Sequence, residues 1–165
     1  MAFAAFLKLT TVPGESTDDK YKDHIEILSY SHALSQPSSG SVSTAGGRTA
    51  ERCDHGDFSI VKALDKASPK LALACCKGET IKEATLFICR AGGDQRKYME
   101  YKMSDVIVSS VRPGGSSKGG ETLPLEEVSF AYGKIEWTYT ILDPKTNAPK
   151  GDIKGYWDLH TNKGG

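Results

Sequence analysis

The sequence has 165 residues, of which 38% are apolar and 25% charged, values close to those of ordinary globular domains and far from those of a disordered chain. This length suits one hydrophobic core, so the sequence predicts a single domain over residues 1–165. Lys and Arg together number 21, as do Asp and Glu, and this balance argues against nucleic acid as a partner.

The start of the chain, Met1 to Leu9, carries Lys8 inside a short apolar run. It is too short for a membrane span, which needs about 18 or more apolar residues, and it lacks the basic start of a signal peptide. We therefore expect synthesis in the cytoplasm, no cleaved signal peptide and no membrane insertion. The four cysteines form no C-x-x-C pair, which predicts reduced thiols: Cys53, Cys75, Cys76 and Cys89.

Most of the chain alternates apolar and polar residues with the period of two that half-buried strands have. Seven strands are predicted, separated by Gly, Pro and Ser clusters: 2–9, 25–34, 58–64, 81–90, 98–111, 125–142 and 153–159. Strands of this number and spacing are typical of β-sandwiches and closed barrels.

Two of these strands change the parity of their apolar positions. The apolar series that ends at Tyr132 resumes one position out of step at Ile135, which predicts a bulge at Gly133-Lys134. A similar switch follows Ile27, so that Leu28 and Tyr30 share the next apolar face. Because bulges bend strands until a sheet can close, the sequence predicts a mainly β fold with a closed antiparallel barrel.

One short helix is predicted on the side of this barrel, over about 68–77. Ser68 suits the N-cap, Pro69 the first helical position, and Gly78 the left-handed position after the last turn. A helix of this length is marginal alone, so its apolar residues are expected to dock on the barrel wall: Leu71, Ala74 and Cys75.

Three stretches are predicted to lie outside the main strands. Residues 35–51 and 112–122 are rich in Ser and Gly and are expected to be long loops, and 143–165 is a C-terminal hairpin or tail. The glycines between Gly114 and Gly120 lack the G-x-x-x-x-G-K-[ST] pattern and precede a strand. They indicate a hairpin connection and not a phosphate cradle, which opens a helix.

The residues that could carry chemistry are few. Cys53, His55 and Asp57 together could bind a metal or assist a nucleophile, but no second ligand pair stands at a zinc-site spacing, which favours a polar turn. Cys75 and Cys76 have no identifiable base and suit small buried positions. We therefore predict no catalytic residue, no metal site and no cofactor.

A different feature marks the predicted strand 25–34. From Leu28 to Ser35 the residues on one face are all small: Ser29, Ser31, Ala33 and Ser35. A uniformly small face suits a smooth wall against which another molecule lodges. An ordinary solvent-facing surface remains an equal alternative.

Five ordered strings of the sequence resemble the hemolysin-coregulated protein (Hcp) family, the tube proteins of bacterial type VI secretion systems. They extend nearly from end to end, which makes the resemblance specific. The strings are Phe6-Leu7-Lys8 with Gly14-Glu15-Ser16; residues 64–69 leading to Ala74-Cys75-Cys76-Lys77-Gly78; Val108-Ser109-Ser110-Val111; residues 128–135; and Gly155-Tyr156-Trp157-Asp158-Leu159 with Asn162.

The resemblance implies a barrel of two antiparallel sheets with a helix on its side, assembled into hexameric rings that stack as a hollow tube. It further implies export by the type VI machine, where the partners are a contractile sheath, a baseplate, a spike protein of the VgrG kind, and small effector proteins held in the lumen. A protein of this class works by assembly and carriage and is not an enzyme.

On this resemblance, Ser29, Ser31 and Ala33 are candidate lumen and effector contacts. The loop that carries Gly46, Gly47, Arg48, Thr49 and Arg52 is a candidate contact between subunits or rings. One departure is His32, where related proteins often carry an aromatic residue such as Trp.

Two rival functions share parts of this pattern. A monomeric ligand carrier of the lipocalin kind has the same strand pattern but needs a wide apolar interior. A small hydrolase or metalloenzyme would use Cys53, His55 and Asp57.

Overall fold

The computed structural model describes residues 3–37, 51–120 and 123–165, which contain one α-helix and twelve β-strands. The helix, α1, spans Ser68–Lys77. The longer strands are β1 (Phe3–Leu9), β6 (Phe58–Ala63), β7 (Thr80–Arg90), β8 (Lys97–Gly114), β9 (Leu125–Ala131), β10 (Lys134–Leu142) and β11 (Pro149–Asp158). The short ones are β2 (Ile25–Ile27), β3 (Ser29–Ser31), β4 (Leu34–Ser35), β5 (Asp54–His55) and β12 (Lys163–Gly164).

Ten of the described strands form one antiparallel sheet, and β4 and β5 form a separate two-stranded ribbon. The main path through the sheet is β12-β11-β10-β8-β7-β1-β2, while β9, β6 and β3 branch from β8. The prediction of a mainly β, antiparallel fold with one short helix is confirmed.

β9 and β10 lie end to end along the same edge of β8. Ala131 pairs with Ile107 and Lys134 with Ser104, so the two strands keep one register, and the Gly133 amide donates to the Ser104 carbonyl at 3.0 Å between them. The parity switch near Gly133 therefore marks a break between two strands, and the bulge predicted at Gly133-Lys134 is wrong, because the register does not shift there. Beyond it the sheet divides, since β9 continues to β6 and β3 while β10 continues to β11 and β12.

The predicted closed barrel of two sheets is wrong for the described residues, which form one branched sheet whose main path ends at β2 and β12. The break lies at Leu28, between β2, which pairs with β1, and β3, which pairs with β6. At this point the Leu28 amide donates a hydrogen bond to the Val61 carbonyl at 2.8 Å, and the regular strand pairing does not continue. The bend predicted after Ile27 is present, but it interrupts the pairing and turns Leu28 outward, with 58% of the residue exposed.

The core lies between the inner faces of the sheet and the helix. Its largest apolar side chains are fully enclosed: Leu7, Ile25, Phe58, Ile60, Leu71, Ile81, Leu86, Ile88, Met103, Phe130 and Ile135. They come from both branches of the sheet, so burial of their apolar surface holds the branches together.

The helix begins and ends as its sequence allows, with one difference from the prediction. Ala67 occupies the N-cap, and Ser68 is already helical. Ser68 does not cap because its hydroxyl donates to a carboxylate oxygen of Glu126 at 2.7 Å. Gly78 closes the helix in the predicted left-handed conformation, at φ 61° and ψ 32°.

The docking face of α1 is the predicted one. Leu71 and Ala74 are 0% and 4% exposed, and Cys75 packs against the same core. In the described ranges no helix combines the length and apolar character needed to cross a membrane.

A buried ion network fixes the start of the helix against β6 and β9. The Lys62 ammonium contacts the Glu126 carboxylate, lies 2.8 Å from an oxygen of Asp65, and donates to the Ser68 hydroxyl at 3.2 Å. The side chains of Lys62 and Glu126 are only 0% and 2% exposed. Lys62 follows Phe58 and Ile60 on the core-facing side of β6, so a charged residue here occupies a position where the alternation places an apolar one.

The segment between β1 and β2 folds over the outer side of the sheet. Tyr21 stacks on Phe6 with ring centroids 4.6 Å apart, and the buried Cys89 thiol donates to the Tyr21 hydroxyl at 3.2 Å. Gly14 permits this path, since a side chain there would lie 2.3 Å from the carbonyl oxygen of His24.

The predicted loops are shorter in the structure where it describes them. Residues 112–114 belong to β8, paired with 125–127, because the ladder with β9 continues to the glycines. The final long strand starts at Pro149 and not at residue 153, through its pairing with β10. Of the predicted loop 35–51, residues 38–50 lie outside the described chain.

Candidate assembly surfaces

One row of core-facing side chains extends from the hydrophobic core out to a sheet edge. Side chains directly opposite in an antiparallel ladder share a face, and five successive partners across the sheet make this row. They are Ala5, Ile88, Met99, Tyr139 and Ile153. Ala5 and Ile88 are 3% and 2% exposed, whereas Tyr139 and Ile153 are 46% and 62% exposed.

The outer end of this row is an uncovered apolar surface. We call Tyr139, Ile141 and Ile153 the β10–β11 apolar face; Ile141 is 40% exposed. These residues alternate as buried strand residues do, yet nothing in the described part of the chain covers them. An apolar face that continues beyond the core and is exposed there is typical of a protein–protein contact.

The backbone edge beside this face is also open. β11 pairs with β10 on one side, but on the other β12 reaches only Trp157 and Asp158, and Gly165 exchanges two hydrogen bonds with Tyr156. From residue 149 to 155 the outer edge of β11 has no strand partner within the described ranges. An open edge of this kind can accept another chain.

A second surface lies on the other branch of the sheet. Four serines face one another across four neighbouring strands, in the order Ser31, Ser59, Ser129 and Ser110. The hydroxyls of Ser59 and Ser129 are 2.8 Å apart and hydrogen-bonded. This serine row extends the small face predicted around Ser31 across four strands of the sheet.

The three residues predicted to line a lumen are all exposed. Ser29 and Ser31 belong to β3, and Ala33 follows it and accepts a hydrogen bond from the Gly56 amide at 2.9 Å. Their assignment to a lumen stays a prediction.

Of the predicted contacts between subunits or rings, only Arg52 can be described. Its guanidinium donates to the carbonyl oxygen of Leu159 at 2.8 Å. This bond links the segment just before β5 to the C-terminal turn. Gly46, Gly47, Arg48 and Thr49 lie outside the described residues.

The cysteine, histidine and carboxylate considered for a metal or hydrolytic site direct their polar groups to different partners. The Asp57 carboxylate accepts from Ser109 at 2.7 Å, while the Cys53 sulfur lies 3.7 Å from the carbonyl of Asp54. His55 bonds to Tyr132. Among the described residues no three His, Cys, Asp or Glu side chains converge as metal ligands.

Two histidines meet on one tyrosine hydroxyl where β9 gives way to β10. Nε2 of His32 lies 2.7 Å, and Nδ1 of His55 2.8 Å, from the Tyr132 oxygen. Burial lowers the pKa of His32 and the neighbouring His55 lowers it further, against a smaller opposing effect of the Gly56 backbone; burial lowers the pKa of His55 too. Burial raises the pKa of Tyr132, with Cys53 and Asp57 adding to the effect.

These features define a mainly β protein with one docked helix. It carries the β10–β11 apolar face beside the open edge of β11, and the serine row on the other branch of the sheet. Residues 6–139 match the family model described as "Type VI secretion system effector, Hcp". The chain therefore belongs to the Hcp family of type VI secretion tube proteins, a family of structural secretion proteins.

Relatives and solved structures agree with this assignment. "Protein hcp1" of Pseudomonas aeruginosa is 34% identical over 163 residues, 98% of each chain. A structure described as "a type six secretion system protein" superposes with a TM-score of 0.92 at 34% identity, covering 99% of this chain and 100% of the other. Hcp1 from Salmonella typhimurium gives a TM-score of 0.80 at 30% identity, over 99% of both chains.

Sequence reasoning missed the apolar face and the His–Tyr–His contact. Tyr139, Ile141 and Ile153 alternate like core residues, and alternation alone cannot tell whether a neighbouring element covers them. The two histidines are 23 positions apart and meet Tyr132 only through the β4–β5 ribbon. No short-range signal could have found that contact.

Proposed function

We propose that this chain is the subunit of a type VI secretion inner tube. Copies join edge to edge into a hexameric ring, rings stack into a hollow tube, and the tube carries small effector proteins and is itself exported. The observation that carries the proposal is the β10–β11 apolar face beside the open edge of β11.

A second copy of the chain is the partner that this edge suits. The face is apolar at its centre, with Tyr139 and Ile153 at 46% and 62% exposure, and a strand edge alongside offers unpaired amides and carbonyls. A contact that covers the apolar face and the strand edge removes apolar area from water, and at the same time gives hydrogen-bond partners to the unpaired backbone groups. Stable contacts of this kind bury about 800 Å² per partner. Membership of the Hcp family supports the choice of a like copy.

Stacking of rings needs a weaker contact than closure of each ring, so that a delivered tube comes apart. We propose that the loop with Gly46, Gly47, Arg48, Thr49 and Arg52 makes the stacking contact. It is polar and rich in glycine, so it buries less apolar area than the β11 edge does.

The lumen is assigned to the serine row together with Ser29 and Ala33. Small hydroxyl-bearing side chains give a wall with few protrusions and little charge, which suits cargo that must enter and leave. The sheath, baseplate and spike are the further partners that the family implies, and the work consists of assembly and carriage, without catalysis. Export by the type VI machine would follow synthesis in the bacterial cytoplasm.

A monomeric ligand carrier is the alternative function, and the packing of the described core argues against it. Phe58, Ile60, Leu86 and Ile135 are each 0% exposed and fill the space that such a carrier keeps open for its ligand.

The ring contact is tested by placing a charge on the apolar face. We expect Ile153→Glu to yield monomers in native mass spectrometry at a concentration where the unmodified chain gives hexamers, because the carboxylate would be desolvated at the contact. Leu73→Glu is the matched control: Leu73 is 52% exposed on α1, which packs on β8, so hexamers should persist.

Two results would overturn the proposal. One is an unmodified chain that stays monomeric at every concentration. The other is an Ile153→Glu chain that forms rings as readily as the Leu73→Glu control.

A further inference from the structure

The Tyr132 hydroxyl bonds to two imidazoles, one beside each strand of the β4–β5 ribbon. The β4–β5 ribbon pairs only with itself among the described strands. His55 belongs to β5, and His32 stands two residues before β4, so the two histidines reach the same phenol from one end of the ribbon. Tyr132 itself belongs to the core and is 8% exposed.

Within the described residues, three further contacts involve the ribbon and its flanking residues. The ring of His32 packs at 5.2 Å from that of Phe58, and the Gly56 amide donates to the Ala33 carbonyl at 2.9 Å. Arg52 donates to the Leu159 carbonyl at 2.8 Å. The Phe58 and Arg52 contacts, with the tyrosine bridge, join the ribbon to the main sheet and the C-terminal turn.

A single hydroxyl can serve two neutral imidazoles. It has one proton to donate to the bare nitrogen of one ring, while its oxygen accepts from the N–H of the other. When both rings are protonated, both can only donate, and the hydroxyl proton must find another acceptor. Two positive charges then flank the oxygen of one buried side chain.

The ionisable groups around this contact provide little compensation. Cys53 and Asp57 are the groups that act on Tyr132, and the Asp57 carboxylate is engaged by the Ser109 hydroxyl at 2.7 Å. Asp54 of β5 is exposed, and Phe58 presents an apolar ring to His32. The described surroundings of His32 and His55 therefore contain no carboxylate that bonds either ring.

We propose that His32, Tyr132 and His55 form a pH-dependent clasp, which holds the β4–β5 ribbon on the sheet at neutral pH and releases it when both imidazoles become protonated. The inference concerns the single subunit and does not depend on ring formation. Acidification would thus loosen the β4–β5 ribbon without unfolding the sheet.

Hydrogen exchange of the Gly56 amide measures the clasp directly, because this amide is protected by Ala33 within the ribbon. After correction for the intrinsic pH dependence of exchange, we expect its protection factor to fall between pH 7.5 and pH 5, about tenfold per pH unit for each proton taken up on opening. Amides of β7 and β8, in the centre of the sheet, should keep their protection across the same range.

Substitutions distinguish opening of the clasp from a general loss of stability in acid. His55→Gln keeps a hydrogen-bonding side chain without the charge, and it should retain Gly56 protection at pH 7.5 and lose much of the acid response. Tyr132→Phe should lower Gly56 protection at both pH values. His24→Gln, whose ring contacts Tyr21 and Phe87 elsewhere, is the control and should behave like the unmodified chain.

The clasp is refuted if Gly56 protection in the unmodified chain does not change between pH 7.5 and pH 5. It is equally refuted if His55→Gln loses protection with acid as fully as the unmodified chain does. Since His55 is only partly buried, this variant should fold even if a change at His32 disturbs the packing on Phe58.

Discussion

The ammonium of Lys62 and the carboxylate of Glu126 form an ion pair that water does not reach, with side chains 0% and 2% exposed. Asp65 and the Ser68 hydroxyl lie 2.8 and 3.2 Å from the lysine nitrogen, which also donates to the Ala63 carbonyl at 3.2 Å. The network joins β6, β9 and the first turn of α1, so it fixes where the helix sits on the sheet.

Removal of the lysine from this network should be severe. Lys62→Met leaves Glu126 buried without its cation, and we expect a loss of about 3–5 kcal/mol in the free energy of unfolding. Urea unfolding followed by circular dichroism measures it. Lys70→Met, an exposed position on α1, is the control and should change stability little. An unchanged urea midpoint for Lys62→Met would show that the pair is not structural.

A methyl group at Gly14 should also destabilise the fold. The added carbon would meet the backbone of His24 at 2.3 Å and Ile25 at 2.6 Å, and backbone cannot swing aside as a side chain can. We expect Gly14→Ala to cost about 1–3 kcal/mol, as overpacking does. Gly120→Ala, where no atom lies within 4 Å, serves as the comparison in the same thermal melts. Equal melting temperatures would contradict the close approach.

Deletion of residues 40–49 should leave a folded subunit that does not form long tubes, because the proposed stacking loop would be lost. Circular dichroism and native mass spectrometry would report the fold and the ring, and negative-stain electron microscopy the tubes. Tubes of normal length would disprove the stacking role while leaving the ring contact at β11 untouched.

Stability should decrease as the pH falls below the ordinary imidazole pKa of 6.5. The pKa values of His32 and His55 are lowered in the fold, so the unfolded chain binds more protons between the folded values and 6.5. This contribution is complete above pH 6.5 and is lost on acidification through that window. Urea midpoints at pH 7.5 and pH 5 should differ less for a His32→Gln, His55→Gln chain than for the unmodified one; equal differences would contradict the assignment.

The cysteines should differ widely in reactivity. Cys76 is exposed on α1, whereas Cys89 is buried, and burial raises the pKa of its thiol. Brief treatment with iodoacetamide at pH 8 followed by peptide mass spectrometry should label Cys76 first and spare Cys89. Tyr21→Phe removes the hydroxyl bonded to Cys89 but keeps the stacked ring, so Cys89 should stay protected. Rapid labelling of Cys89 in the unmodified chain would mean that this segment opens readily.

Much of the fold could be predicted because its signals are local. Alternation located the longer strands, Gly78 ended the helix as expected, and the parity switches at Leu28 and Gly133 marked real interruptions. Whether a bent strand closes a barrel or breaks a ladder depends on its neighbours, which is why the switch at Leu28 was misread. The apolar face at Ile153 escaped prediction for the same reason, since burial of a strand face depends on elements far away in sequence. The Lys62–Glu126 pair could not be predicted either, because it depends on the register of β6 against β9.

The row that extends from Ala5 to Ile153 has a thermodynamic consequence for the proposed ring. If neighbouring copies cover the exposed end of this face, association buries more of the apolar surface that also stabilises the folded subunit. Folding and association are then linked by mass action. The melting temperature would rise with protein concentration, and dilution after delivery would weaken each subunit as well as the contacts between subunits.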